Sequence, residues 1–570
     1  MCGVILSRRM ADLADVVAMG VAPSSEPFLC YQAAFGPSVR AGDLVLQWDG
    51  RIYNSASIRK SLLLPPGTPE SIIVLRGWHK EGQSFLKRIN GPFALSILDL
   101  AQGTWTLARG WQGLRPLYWF ESHEGIAFAR DLRTLFRCPW VSREPHWEKI
   151  PEYLVFDHVA GGETLYRRVR ELLPGQVLSG RLGDHTATLT KLPFTFPIPR
   201  EDLDDQGLST QIQRTLKGAT ARLLAHTADD PPTLFLSGGI DSSLLAEAMA
   251  DNRRAMGTIS ATVTCPGYRH DEAPFARAVR EALGLPGTEI PLTPSLFASA
   301  WQESIRSLRG PLTSTNQVPW WLLCQWAKEN DRPSVFAGEG VDGWFSGGLY
   351  DEEREALAEL WENDPVEAGR RVIFCRTHRL NDPALVQSIT TIPLDLGPRW
   401  AIWKEARENA SIHSPDDAAV LYHIATVGNR LLTRADLVAT CHGVELNLPF
   451  LEETWVRQVL STPFCKRNPH GIRKHPMKVL CARRWGWTFA YRKKIGFPFP
   501  IRTWIRDAPV PLLERWREMT LEPRTLGREI YRRDALEREI MLRLRGPKKP
   551  LDWLLWGIVN LELWLRDMEE

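Results

Sequence analysis

Two patterns of apolar and polar positions divide the chain. Over roughly the first third, short runs separated by turn residues predict strands. Examples are Cys2-Gly-Val-Ile-Leu-Ser7, Leu44-Val-Leu-Gln-Trp48, Phe93-Ala-Leu-Ser-Ile-Leu98 and Trp105-Thr-Leu-Ala108. Mixed with helical stretches, they give an α+β pattern. Further on, helical periodicity alternates with apolar runs at residues 233–236, 260–264 and 334–337, which predicts a doubly wound parallel sheet. Between the two patterns lie the proline-spaced Pro193-Phe-Thr-Phe-Pro-Ile-Pro199 and an acidic stretch to Asp205. We therefore expect a first domain at residues 1–195, a linker at 196–205 and a second domain at 206–570, its last part helical. No internal repeat is visible.

Composition narrows the class. At 570 residues, with 44% hydrophobic and 24% charged positions, the chain reads as a soluble globular protein too long for one core. Lys and Arg total 70 against 67 Asp and Glu, a net charge of +3, which argues for neither a nucleic-acid nor a membrane partner. Nine cysteines without a Cys-x-x-Cys pair, several in apolar runs (Cys265, Cys324, Cys375), suggest reduced thiols and a cytoplasmic protein. The most apolar helical stretch, 553–565, is too short to span a bilayer and contains Glu562. Oligomeric state is left open.

The chemistry starts at Thr233-Leu-Phe-Leu-Ser-Gly-Gly-Ile-Asp-Ser-Ser243. A buried strand, a glycine turn and a helix place unpaired helix N–H groups beside the turn, a setting that receives phosphate. Gly238 and Gly239 allow close approach, Ser237, Ser242 and Ser243 add hydroxyls, and Asp241 can hold a metal ion. This run resembles the pyrophosphate loop of the ATP pyrophosphatases and lacks the Gly-Lys-Ser/Thr ending of a P-loop. A second stretch, Val335-Phe-Ala-Gly-Glu-Gly-Val-Asp-Gly-Trp-Phe-Ser-Gly-Gly348, follows another apolar strand and supplies Gly338, Glu339 and Asp342.

Met1-Cys-Gly-Val-Ile, Asp49-Gly-Arg-Ile-Tyr-Asn54, Phe85-Leu-Lys-Arg-Ile-Asn-Gly-Pro-Phe-Ala94 and Gly113-Leu-Arg-Pro-Leu-Tyr118 resemble the glutaminase half of glutamine-dependent asparagine synthetases. The second stretch resembles their Ser-Gly-Glu-Gly-Ala-Asp-Glu-Leu-Phe-Gly-Gly. The resemblance implies an N-terminal-nucleophile glutaminase-like sandwich followed by an ATP pyrophosphatase domain. It implies Cys2 as glutaminase nucleophile, with its own α-amino group as base. It also implies ATP and Mg²⁺, the ion held by Asp241 and Asp342, a nucleotide cradle formed by Ser237, Gly238, Gly239, Ser242, Ser243 and Gly338, and adenine between Leu236 and Val263. Those last two side chains are equally open to a plain core role.

Departures from the family pattern carry information. Asp49 stands where an oxyanion-binding Asn belongs, and Thr68 where a glutamine-binding Asp belongs. A carboxylate opposes a forming oxyanion, and loss of one donor typically costs ~10²–10³ in rate. The first domain is thus expected to be degenerate. Gly343 and Trp344 replace Glu-Leu in the second stretch, and Glu339 is a carboxylate where β-lactam synthetases carry a Tyr. Arg434-Ala-Asp436 and His442-Gly-Val-Glu-Leu-Asn-Leu-Pro-Phe-Leu451 resemble later family motifs, with Asn447 in place of an Arg. Lys478 falls where the family has a Lys before a Leu-rich helix, and its ammonium could stabilise the tetrahedral intermediate and the departing adenylate. Lys493 and Lys494 lie in a run resembling Lys-Lys-x-Gly-Phe-x-x-Pro, with ordinary solvated surface as the alternative.

The expected reaction follows. A carboxylate attacks the α-phosphorus of ATP, and an amine that loses its proton to Glu339 or Asp436 then displaces AMP. Without ammonia from the first domain, the amine must belong to the substrate. Within the superfamily, this points to a lasso-peptide cyclase joining a peptide N-terminal amine to an Asp or Glu side chain. A precursor peptide, a leader-binding protein and a leader peptidase would be its partners, and the basic run 466–478 is a candidate peptide-facing surface. The alternative is a glutamine-dependent asparagine synthetase or related amidotransferase with a working Cys2.

Overall fold

The computed structural model describes residues 38–570 except 124, 183, 185, 201–202, 228–230, 494–498 and 546–552, with side chains omitted at 501–502. Before residue 38 it describes only the strand backbone of residues 2–6, 22–23 and 29–31. Two compact units result: Met1–His146 with Gly161–Thr195, and Trp147–Ala160 with Phe196–Glu570. The excursion of Trp147–Ala160 into the second unit breaks the linear order read from the sequence. Its cause is a set of long-range bonds: Arg399 Nε donates to Glu152 Oε1 at 2.7 Å and the Leu380 N–H to the Val155 carbonyl at 2.7 Å.

The first unit is built on two six-stranded antiparallel sheets. Its strands are β1 (Cys2–Leu6), β2 (Ala22–Pro23), β3 (Leu29–Tyr31), β4 (Val39–Ala41), β5 (Leu44–Gly50) and β6 (Phe93–Asp99). They continue with β7 (Thr104–Arg109), β8 (Tyr118–Ser122), β9 (Gly125–Ala129), β10 (Arg170–Glu171), β11 (Gln176–Arg181) and β12 (Thr188–Lys191). Strand orders are β10-β8-β9-β1-β3-β2 and β12-β11-β7-β6-β5-β4. Successive side chains of a strand point to opposite faces, so Val45 and Leu98 join Ile126 and Phe128 of the facing sheet, whereas Leu44, Leu46 and Ile97 pack with Ile73, Val74 and Phe85. The second group comes from the helix Glu70–Glu81 and the 3₁₀ turn Gly82–Arg88. Apolar residues on both faces explain why β6 reads as a continuous hydrophobic run.

The second unit contains a five-stranded parallel sheet of β13 (Thr233–Phe235), β14 (Ile259–Thr264), β15 (Gly287–Pro291), β16 (Ser334–Ala337) and β17 (Glu445–Asn447). Its order is β15-β14-β13-β16-β17. The direction of winding reverses between β13 and β16, and ligands of such sheets bind at the carboxyl ends of the strands beside the reversal. The two edge strands carry no long apolar run: Gly-Thr-Glu-Ile-Pro in β15 is largely exposed and Glu-Leu-Asn in β17 spans three residues. The rest is helical. The apolar helix Trp553–Glu569 is a core element: Trp556 stacks on Trp301 with centroids 4.2 Å apart, and buried Glu562 is paired with Arg528 Nε at 2.6 Å. Among the described residues no helix is long and apolar enough to cross a membrane.

Candidate active site

The chain leaves β13 through Leu236 and Ser237 and turns at Gly238, whose φ of +77° favours glycine. A Cβ there would also lie 2.6 Å from the Ala276 nitrogen, so the turn is pressed against the start of the helix Ala273–Leu283. Gly239 caps the helix Ile240–Ala250 without a side-chain hydrogen bond, leaving the first-turn amides open to a ligand. The serines line this turn: Ser237 Oγ and Ser242 Oγ are 3.1 Å apart, and Ser243 Oγ donates to the Gly239 carbonyl at 2.8 Å. Ser243 is fully buried in that bond, so it shapes the turn, whereas partly exposed Ser237 faces outward. Leu236 is buried and Val263, on β14, is half-buried.

The second loop leaves the adjacent strand β16. A Cβ on Gly338 would lie 2.9 Å from the Ser242 nitrogen, so only a glycine lets the loop approach the helix start this closely. Gly340, at φ +96°, opens the short helix Val341–Ser346, which carries Asp342. Glu339 is partly exposed, and Arg434 Nη2 lies 3.8 Å from its Oε1. Asp436, on the same helix as Arg434 (Asn429–Cys441), is fully buried.

The two aspartates expected to hold metal are joined by a residue absent from the sequence reading. Lys474 Nζ donates to Asp241 Oδ1 and Oδ2 at 2.9 and 2.7 Å, and lies 2.7 Å from Asp342 Oδ1. Lys474 is buried, has left-handed backbone at φ +57°, and caps the helix His475–Trp485. A cation at a helix N-terminus opposes the helix dipole. That conflict, visible as a Lys just ahead of a proline-started helix, was the one signal in the sequence, and the carboxylate pair resolves it. Lys478 lies one turn further on. Burial, then the charges of Lys474 and Arg473, lower its pKa, and its Nζ sits 5.4 Å from the Tyr491 ring centroid. Arg492, which opens the run resembling Lys-Lys-x-Gly-Phe-x-x-Pro, donates to the Gly238 carbonyl at 2.6 Å and stacks on Phe275. Lys493 is exposed, and Lys494 lies outside the described residues.

Much of the basic run 466–478 turns inward rather than presenting a peptide-facing surface. Lys466 donates to the Leu203 carbonyl at 3.0 Å, Arg467 to the Trp344 carbonyl at 2.6 Å and Arg473 to the Leu349 carbonyl at 2.7 Å. The Trp344 and Leu349 carbonyls lie in and just after the short helix Val341–Ser346, and the Leu203 carbonyl just ahead of the helix Asp205–Leu224. Asn447 likewise joins neighbouring strands, its Nδ2 donating to Ser334 Oγ at 3.1 Å.

In the first unit, the Cys2 side chain lies outside the described residues, but its backbone pairs with Ala129 in β9. Asp49, at the end of β5, is ion-paired with Arg130 and with Arg115, whose Nε is 3.3 Å away. Burial raises the Asp49 pKa, but the two guanidinium groups outweigh it and hold the carboxyl well below the usual range. The position therefore holds a neutralised carboxylate, with no amide donor. Thr68 is spent in an exposed turn, donating to the Pro65 carbonyl at 2.7 Å.

Comparison with known proteins agrees with this arrangement. The asparagine synthase family matches residues 211–566, and the glutamine amidotransferase domain matches 33–191. A putative glutamine-hydrolyzing asparagine synthetase of Mycobacterium tuberculosis is 24% identical over 508 residues, covering 83% of this chain and 77% of that one. Glutamine-hydrolyzing asparagine synthetase 1 of Bacillus subtilis is 22% identical over 495 residues, covering 81% and 76%. A solved glutamine phosphoribosylpyrophosphate amidotransferase from B. subtilis aligns over 44% of this chain and 47% of that one at 13% identity, with a TM-score of 0.20. With a family match over most of its length and the expected loops at the carboxyl edge of its parallel sheet, this chain belongs to the asparagine synthase family of ATP-dependent carbon–nitrogen ligases.

Proposed function

We propose that this ligase forms its amide through an acyl-adenylate, releasing AMP and pyrophosphate, and that both carboxylate and amine come from one peptide, as in lasso-peptide macrolactam synthesis. The adenylation reading is supported by Lys474, whose ammonium sits between Asp241 and Asp342. Mg²⁺ fits the same donors, since it takes hard oxygens and is commonly held by one or two carboxylates plus phosphates. Bound there, it would neutralise charge on the departing pyrophosphate.

The chain's own groups do the rest. The open amides after Gly239 and the hydroxyls of Ser237 and Ser242 hold the β- and γ-phosphates. The substrate carboxylate oxygen attacks the α-phosphorus and pyrophosphate leaves. The amine nitrogen then attacks the acyl carbon, AMP leaves with the electron pair of the broken C–O bond, and the amine proton passes to a carboxylate. Glu339 suits that role better than Asp436, because it is open to solvent and Asp436 is sealed. Lys474 and Lys478 offset the negative charge that develops.

The source of the amine is argued from Asp49. Where glutaminase chemistry needs a donor for an oxyanion, this chain has a carboxylate bound by two arginines. A precursor peptide, with a leader-binding protein and leader peptidase to prepare it, belongs to this reading. The names of the curated relatives favour a second one, a glutamine-hydrolysing asparagine synthetase. ATP–pyrophosphate exchange screened with Asp- or Glu-containing peptides against aspartate, beside a glutaminase assay of wild type and Cys2→Ala, separates them. Exchange with a peptide and no glutamine hydrolysis is the expected result. Hydrolysis that Cys2→Ala abolishes would support the second reading, and release of ADP and phosphate would overturn both.

A further inference from the structure

Gly343 stands where the family motif carries a Glu, and the structure shows what fills the space. A Cβ built on Gly343 would lie 2.9 Å from His423 Cδ2 and 3.3 Å from its Nε2. Gly348, at the other end of the loop, meets the same residue: its Cβ would lie 2.7 Å from His423 Nδ1 and 3.0 Å from His378 Nε2. The loop is thus folded over a histidine pair that a larger residue at either glycine would displace. His423 ends the helix Pro415–His423, and the wider π-turn Ile424–Gly428 follows it, a distortion frequent at functional sites.

Hydrogen bonding fixes which nitrogen faces the loop. His378 Nδ1 is 2.7 Å from the Val372 carbonyl, which can only accept, so Nδ1 carries the proton. His378 Nε2 is 3.0 Å from His423 Nδ1. With His378 neutral, its Nε2 accepts and His423 Nδ1–H donates, which leaves His423 Nε2 as a bare lone pair. Burial lowers the pKa of both rings, His378 well below its ordinary range and His423 to about 4; for His423, Asp342 raises and Arg473 lowers the value further. His423 is 6% exposed, and its Nε2 has no hydrogen-bond partner among the described residues. An imidazole lone pair without a protein partner is open to an N–H donor from a ligand.

We propose that His423 Nε2 accepts an uncharged substrate N–H, a peptide-type amide beside the carboxylate to be activated. The exchange of a Glu for Gly343 with His423 behind it would make the pocket selective for a peptide over a free amino acid. A carboxylate at this place would pair with an ammonium; a neutral imidazole offers one directional hydrogen bond and no charge. This inference rests on the amide-forming reading above, and its test has a readout independent of turnover.

The probes are N-acetyl-L-aspartate N-methylamide, which presents amide N–H groups, and L-aspartate, which presents an ammonium. In imidazole ¹⁵N NMR of the full-length protein, His423 Nε2 should appear unprotonated and shift on adding the capped probe with a non-hydrolysable ATP analogue and Mg²⁺. In ATP–pyrophosphate exchange, His423→Phe should raise the apparent KM for the capped probe by about tenfold or more, the scale on which an enzyme site loses an N–H partner. A protonated Nε2, an Nε2 that does not shift, or an unchanged KM in folded His423→Phe overturns the inference. A shift without exchange for either probe supports the acceptor and overturns the adenylation reading instead.

Discussion

The ammonium of Lys474 holds both carboxylate oxygens of Asp241, at 2.9 and 2.7 Å, across 233 positions of sequence. The same ammonium reaches Asp342, so one cation links the first turns of two helices that follow adjacent parallel strands. This places the metal-ligand candidates and the candidate phosphate loop in one site and makes its charge balance testable.

Asp241→Asn should reduce ATP–pyrophosphate exchange by about 10²–10³, the scale seen on losing one stabilising group at a charge-developing centre. Chelation with EDTA should abolish exchange, and Mg²⁺ should restore it. Lys474→Met leaves two carboxylates without their cation and should destabilise the nucleotide-free protein by about 1–3 kcal/mol in chemical denaturation. Because the ammonium no longer competes, Mg²⁺ should raise the Tm of Lys474→Met by more than that of wild type. An equal rise in both would show that the two cations do not share the space.

Two glycines set the distances in the site. Gly238→Ala combines a φ of +77° with a Cβ 2.6 Å from a backbone nitrogen, and Gly338→Ala forces the second loop off the Ser242 amide at 2.9 Å. Backbone strain of this kind costs about 1–3 kcal/mol. Both variants should weaken ATP affinity measured by titration calorimetry. Gly267→Ala, where a Cβ meets nothing within 4 Å, is the control for the backbone effect alone because its φ is also positive at +80°.

Asp49 predicts the acid response of the first unit. Its pKa is held below the ordinary 3.8 by Arg130 and Arg115 against the opposing effect of burial, so its contribution to stability is complete above that value and is lost as pH falls further. Asp49→Asn should therefore lower stability at neutral pH and flatten its decline in acid, seen in urea titrations at stepped pH. It restores one amide donor but leaves Thr68 where a glutamine-binding carboxylate is needed, so by itself it should not create glutaminase activity.

Asp416 works in the opposite sense. Burial raises its pKa to about 6, with Asp417 adding to the rise and Arg354 and Arg467 only partly opposing it. A raised carboxyl pKa means stability present at low pH and lost as pH rises through about 6. Asp416→Asn should stabilise the protein at pH 8 by about 1–3 kcal/mol and have little effect near pH 3.5. Denaturation midpoints at the two pH values test this.

The loops and strands of the candidate site were legible because their chemistry is local. Ser-Gly-Gly-x-Asp-Ser-Ser after an apolar strand needs only its own eleven or so residues to form a phosphate-receiving turn. Asp342 was legible for the same reason. β15 and β17 were not, since short edge strands with polar residues carry no periodic signal and form only because a neighbour offers an unpaired edge. Lys474 was passed over for Lys478, because two lysines four residues apart share a helix face or its end and sequence cannot say which one reaches the carboxylates.

By itself, then, the sequence determined the two-part architecture, the serine-glycine turn and the aspartates that follow each strand, all of which depend on neighbours in the chain. Tertiary structure alone decided that Lys474 joins those aspartates, that two arginines neutralise Asp49, and that His423 occupies the space beside Gly343. Each of these is a pairing of charges or hydrogen-bonding groups distant in sequence. Burial makes such groups costly unless partnered, and only the folded chain shows which partner meets each one.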